Sequence, residues 1–341
     1  MRKKSLHTDG TKKWPRICVA TSLIVSIVFA EMIPAALAAD SRIEVLRNEV
    51  APRDGVSIPV EWGNLLPELK ALGAVNTTLL NKGLIESRGH GLTDSEAARF
   101  DGESHEIIRI DNASKTYLMY IFWAVAFVNA NPILNSSAHM YGNKTSPVGP
   151  AKYGSLVLFK FSPAQQMLIE DVALNSYRPC CNAPTLKPDC SHGFAALGLL
   201  EFLVSKGFSR EQLFKTLLQF NSYSFTNEYV DVALMLQEQG QSWSDANATQ
   251  LVGYSYSSIE ARQAIRKYLV ERGIYDPETR TYSSSDLLTK YREPILILAA
   301  TVVTAATVAL VGVIWMRRSP DEPATSPPAS EPAAADSRGG S

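Results

Sequence analysis

Apolar residues spaced three and four apart, with polar caps before them and glycines after, run through the middle of the chain and predict a series of α-helices. Ser162-Pro163-Ala164-Gln165 places a cap, a first-turn proline and a capping-box glutamine ahead of an apolar-periodic run to about Ser176. Ser209 and Gln212 repeat that cap, and Leu213, Leu217 and Phe220, with Phe214 and Leu218, form one apolar face. Thr93-Asp94-Ser95-Glu96 is a third capping box, opening a short helix to about Phe100. Gly207, Gly240 and Gly273 follow periodic runs as C-terminal stops, the last run being a helix from about Ser258 to Arg272.

Residues 117–128 carry no charge and are too few to span a bilayer, which predicts a helix buried on all sides at the centre of the domain. Residues 156–161 are the best strand candidate, and residues 131–154, rich in Asn, Ser, Pro and Gly, read as a long loop. The expected fold class is mainly α, and no repeat of fixed period is present.

Two further apolar stretches predict the topology. A basic amino end (Arg2, Lys3, Lys4, Lys12, Lys13, Arg16) precedes the uncharged residues 17–30, a break at Glu31 and Pro34, and Ala36-Leu37-Ala38 as a small-residue cleavage site. This reads as a secretory signal peptide over residues 1–38, too short in its apolar part to cross about 30 Å of hydrocarbon at about 1.5 Å per residue. Residues 294–316 carry no charge, end at Trp315 and Met316, and are followed by Arg317 and Arg318, the pattern of a transmembrane helix with a cytoplasmic carboxyl side. The expected organisation is a signal peptide (1–38), an exported helical domain (39–290), one membrane span (294–316) and a disordered cytoplasmic tail (317–341). Its localisation would be the cell membrane, with the amino-terminal domain outside.

Charge supports this division. The formal net charge of −1 hides six Lys/Arg against two acids in residues 1–38 and three against four in residues 317–341, leaving 24 against 28 between them. That balance argues against a nucleic-acid partner.

The candidate chemistry is concentrated in one segment. Cys18 leaves with the signal peptide, and the remaining thiols, Cys180, Cys181 and Cys190, fall within eleven positions, with His192 two residues further on. Pro179, Pro184 and Pro188 bend the intervening loop, and the apolar run 194–204 predicts a helix starting near Ser191. Cys190 and His192 then sit at a helix amino terminus, where free N–H groups favour a thiolate.

Three readings of this cluster compete. Thiolates with an imidazole suit a thiophilic metal such as Zn or Cu, with Cys180, Cys181, Cys190 and His192 as ligands, although adjacent Cys180 and Cys181 lack the usual two-residue gap. A helix-terminal thiolate with a neighbouring pair suits a thiol-disulfide oxidoreductase. A structural disulfide from Cys190 to Cys180 or Cys181 would staple the loop of a surface interaction protein, leaving one odd thiol.

Other motifs are missing or weak. His90, His105 and His139 lie in turn or polar-loop contexts, and His105-Glu106 lacks the second histidine of a zinc-protease helix. Gly89 and Gly91 lack the third glycine of a dinucleotide loop, and neither a Gly-Lys phosphate loop nor a Gly-x-Ser-x-Gly elbow occurs. Trp62, Trp123 and Trp243 read as core anchors. Asn76, Asn112, Asn135, Asn143 and Asn247 head Asn-x-Ser/Thr sequons, which matter only in a host that glycosylates exported chains.

Residues 58–63, 122–134 and Cys180-Cys181 with Asp189-Cys190-Ser191-His192-Gly193 together resemble a group of exported prokaryotic proteins with a double-cysteine, Asp-Cys-x-His-Gly pattern. The resemblance spans roughly residues 58–260. It implies a prokaryotic host and a recurrent cysteine cluster, and it brings no activity or catalytic residue with it.

Overall fold

Buried apolar faces and local caps account for most of the helices in the computed structural model, which describes residues 42–136, 148–282, 297, 300, 301 and 304–309. Residues 32–290 form one unit, and the described residues from 297 onward belong to a second.

The first unit opens with helix α1 (residues 42–50) and continues with strand β1 (Val56–Gly63), α2 (Leu65–Ala71), α3 (Thr77–Arg88), α4 (Asp94–Ala98) and β2 (Ser104–Ile110). Next come α5 (Lys115–Val128), a 3-10 turn (Pro132–Ser136), α6 (Pro163–Leu174), α7 (Ser191–Ser205), α8 (Arg210–Ser224) and α9 (Thr226–Glu238). The unit closes with α10 (Ala248–Leu251), α11 (Tyr254–Ser257), α12 (Ile259–Glu271) and a hairpin, β3 (Tyr275–Asp276) with β4 (Thr281–Tyr282).

Three expected capping boxes form: Thr93 with Glu96, Ser162 with Gln165 and Ser209 with Gln212. Each satisfies an orphan N–H in the first turn while its N3 side chain returns to the cap. Gly207, Gly240 and Gly273 take the left-handed conformation after α7, α9 and α12, with φ of 82°, 75° and 69°.

The centre of the unit is the crossing of α5 and α7. The uncharged run expected to be buried lies in α5, where Tyr117, Leu118, Ile121, Phe122 and residues 124–128 are all buried. In α7 every residue from Gly193 to Val204 is buried. Gly198 lets the two backbones meet: a Cβ there would overlap the Phe122 carbonyl oxygen and lie 2.9 Å from the Ala126 nitrogen. Around this pair pack α6 and α8, and α9 and α12 close the outer layer.

The strands depart from expectation. Residues 157–161 are not a strand; Leu156 makes only an isolated parallel bridge with Asn129. Leu158, Phe159 and Phe161 pack on the core through their side chains, while the Leu158 N–H donates to the Asn129 side chain at 3.1 Å. That hydrogen bond supplies locally what a neighbouring strand would have supplied. Instead β1 and β2 pair antiparallel, Val56 opposite Ile110 and Gly63 opposite Ser104, with two register shifts between them. His105 therefore lies on β2 and not in a loop, with Nδ1 2.9 Å from Glu61 Oε2.

Among the described residues no helix is long and apolar enough to cross a membrane. Of the expected span at 294–316 only residues 297, 300, 301 and 304–309 are described, and these are helical, with Thr301 and Thr304 hydroxyls donating to carbonyls four residues back. The expected signal peptide, the tail at 317–341, Cys18, His139 and the sequon at Asn143 lie outside the described residues, as do residues 137–147 of the expected long loop.

Candidate metal centre

The cysteines sit where a pinned loop meets the amino end of α7. After α6 the chain turns back on itself. Ser176 and Thr185, both buried, share a hydroxyl hydrogen bond of 3.0 Å, and Thr185 N–H donates to the Ser176 carbonyl at 2.8 Å. Tyr177 N–H donates to the Val252 carbonyl at 2.7 Å, and its own carbonyl accepts from the Asn221 amide at 3.0 Å. The Asn182 side chain and Glu260 exchange hydrogen bonds of 2.9 and 3.2 Å, so the loop is fastened to the start of α12. These ties hold Cys180 and Cys181 against α7 without secondary structure of their own.

Cys190 is the N-cap of α7, with extended backbone (φ −149°, ψ 168°), and its Sγ accepts from the Gly193 N–H at 3.4 Å. Cys180 Sγ is 3.7 Å from Cys190 Sγ. Ligand atoms of Cys180, Cys190 and His192 all lie within 4.8 Å of one another, and those of Cys181, Asp189 and Cys190 form a second such set. The His192 ring centroid lies 4.8 Å from that of Phe225, which flanks the imidazole. All three thiols are free and half-buried, so the disulfide considered from the sequence is not formed.

Arg178 completes the arrangement. Its side chain is 1% exposed; Nε donates to Cys190 Sγ at 3.2 Å, Nη1 to the Ala183 carbonyl at 3.2 Å, and Nη2 pairs with Asp189 Oδ1. Gly193 makes room for it, since a Cβ at that position would lie 2.7 Å from Arg178 Cζ. Cys181 Sγ donates to Asp189 Oδ1 at 3.4 Å and approaches the Ala183 carbonyl at 3.7 Å.

The thiols share charge unequally. Cys190 lies well below the ordinary thiol range, chiefly because the neighbouring Cys180 and Cys181 thiols favour its charged form, with His192 and the Arg178 charge acting against burial. Cys180 is held protonated by its Cys181 and Cys190 neighbours and by burial. For Cys181, proximity to Cys180 favours ionisation, but Cys190 and burial outweigh it and push the thiol up to about 11.

The structure thus brings together the four residues singled out from the sequence and adds Arg178 and Asp189. Compared with family models, curated protein sequences and solved structures, the chain matches none, so the functional reading rests on this geometry. A Cys/His/Asp cluster of this kind can hold a metal ion.

Proposed function

We propose that this chain is an exported, single-pass membrane protein whose outer domain binds one thiophilic metal ion, Zn or Cu, through Cys190 and His192 of α7, with Cys180 or Cys181 completing the site from the loop. One observation carries the metal reading. A tetrahedral zinc with Zn–S bonds of about 2.3 Å needs its sulfurs about 3.8 Å apart, and Cys180 and Cys190 sulfurs stand at 3.7 Å. The His192 ring completes a soft donor trio with them. The membrane anchor rests on the uncharged residues 294–316 and the Arg317-Arg318 flank, and export on residues 1–38.

Elemental analysis of the chain from residue 39 onward purified in detergent, with thiols counted before and after reduction, tests the metal reading. Near-stoichiometric metal with three reactive thiols after chelation supports it. One stable disulfide and no metal overturns it.

A second reading, a thiol-disulfide oxidoreductase with Cys190 attacking, is favoured by the Arg178 Nε–H directed at Cys190 Sγ. It requires, besides a metal-free protein, a Cys190 pKa well below the free value of about 8.5 and a measurable rate of exchange with a disulfide substrate.

A further inference from the structure

The cluster contains two overlapping donor sets that share Cys190, and Arg178 touches two members of one and a single member of the other. In the second set, Cys181 with Asp189 and Cys190, a cation is already in place: Arg178 donates to Cys190 Sγ and pairs with Asp189. The Cys181 thiol is turned into that set, donating to Asp189 Oδ1 and facing the Ala183 carbonyl. In the first set, Cys180, Cys190 and His192, Arg178 hydrogen-bonds to the shared Cys190 alone, and the three side chains are half-buried. Cys181 lies within 4.8 Å of Cys190 but not of all three ligand atoms of the first set.

Resting on the metal reading above, we infer that the ion is held by three protein ligands, Cys180, Cys190 and His192, with its fourth position open to an exchangeable external donor, water or a small anion. Arg178 fixes the count at one ion per chain by standing where a second would bind. Cys181 is a bystander kept out of the coordination sphere by Asp189. Three protein ligands and one exchangeable position is the pattern of a reactive or transfer site, whereas structural zinc sites are closed by four. The half-buried setting of the trio leaves a path for the external donor.

The test is Co(II) titration of the chain from residue 39 onward in detergent, followed by its visible and near-ultraviolet bands, with azide as the external donor. The expected result is one Co(II) per chain and ligand-field bands that shift when azide is added. Cys181→Ser should keep the thiolate-to-cobalt charge-transfer intensity and an affinity within about threefold of the parent, while Cys180→Ser and His192→Ala each weaken binding by about 100-fold or more. Three outcomes overturn the inference and leave metal binding standing: azide-insensitive bands, loss of about a third of the charge-transfer intensity in Cys181→Ser, or two ions per chain. A parent chain that binds no Co(II) overturns the metal reading itself, and this inference with it.

Discussion

The guanidinium of Arg178 lies across Gly193, in the space that a side chain at position 193 would fill. The helix start and the buried cation are therefore mutually dependent. Gly193→Ala should push Arg178 off Cys190 and Asp189, at a cost of about 1–3 kcal/mol from overpacking. Arg178→Met should cost more, about 3–5 kcal/mol, because Asp189 loses its buried partner. Urea denaturation of the two variants against the parent checks the order. Equal stabilities of parent and Arg178→Met would contradict the role given to the pair.

Glu201 introduces a pH dependence of one sign. Its carboxyl is fully buried in the middle of α7, and burial pushes it up to about 8 against the weaker pull of the neighbouring Asn129 and Asn131 side chains. A raised carboxylate favours the protonated form in the folded state. The penalty is absent below the ordinary value of 4.5, grows as the pH rises, and levels off above about 8. At pH 7 it amounts to on the order of 3 kcal/mol. Glu201→Gln should flatten the stability profile between pH 5 and 8, and should gain about 1–3 kcal/mol at the upper end. Urea midpoints at pH 5, 7 and 9 measure this, and parallel profiles for parent and variant would refute it.

Glu96 gives the opposite sign. Although burial alone would raise it, hydrogen bonds from Arg88 and Thr93 hold its carboxyl below the ordinary range. Its contribution is therefore present above pH 4.5 and lost as the pH falls through the lowered value. Both partners of the Arg88–Glu96 pair have side chains only 9% exposed. Glu96→Gln should cost about 3 kcal/mol at pH 7 and progressively less as the pH falls below 4.5. Thermal melts of parent and variant at pH 7 and at a series of values below 4.5 measure this, and a difference that does not shrink on acidification would refute it.

Gly198 should tolerate nothing larger. Gly198→Ala forces α5 and α7 apart at the Phe122 carbonyl, with an expected loss of about 3 kcal/mol or more. Ala196→Gly, two residues nearer the amino end, should lose only about 1 kcal/mol through helix propensity. Comparing the two melting temperatures isolates the crossing from the helix.

Local chemistry was legible and tertiary chemistry was not. The capping boxes of α4, α6 and α8 could be read because each is complete within four residues. Strand β1 could not, since Pro59 interrupts it and the shifted register with β2 spoils any clean alternation. The apolar residues of 156–161 resembled a strand, but their burial comes from side chains packed on the core. Likewise the close spacing of Cys180, Cys181, Cys190 and His192 announced the cluster, while Arg178 in a proline-rich loop carried no mark of belonging to it. Its burial depends on Gly193, fifteen residues away, and a pairing at that range leaves no local trace. Glu201 did leave one, as the single charge inside the run 194–204, but read for its periodicity that run counted simply as apolar.

The two sides of the cysteine cluster belong to segments of unequal mobility. Cys190 and His192 begin a helix that is buried from Gly193 onward, and such amides exchange their hydrogens only when the whole fold opens. Cys180 and Cys181 ride on a loop fastened by a handful of hydrogen bonds, which opens by itself at far lower free energy. An ion bridging them would carry the protection of the core into the loop. The rate of ion release would then be set by how often the loop lifts, with the core half of the site standing ready for the next ion.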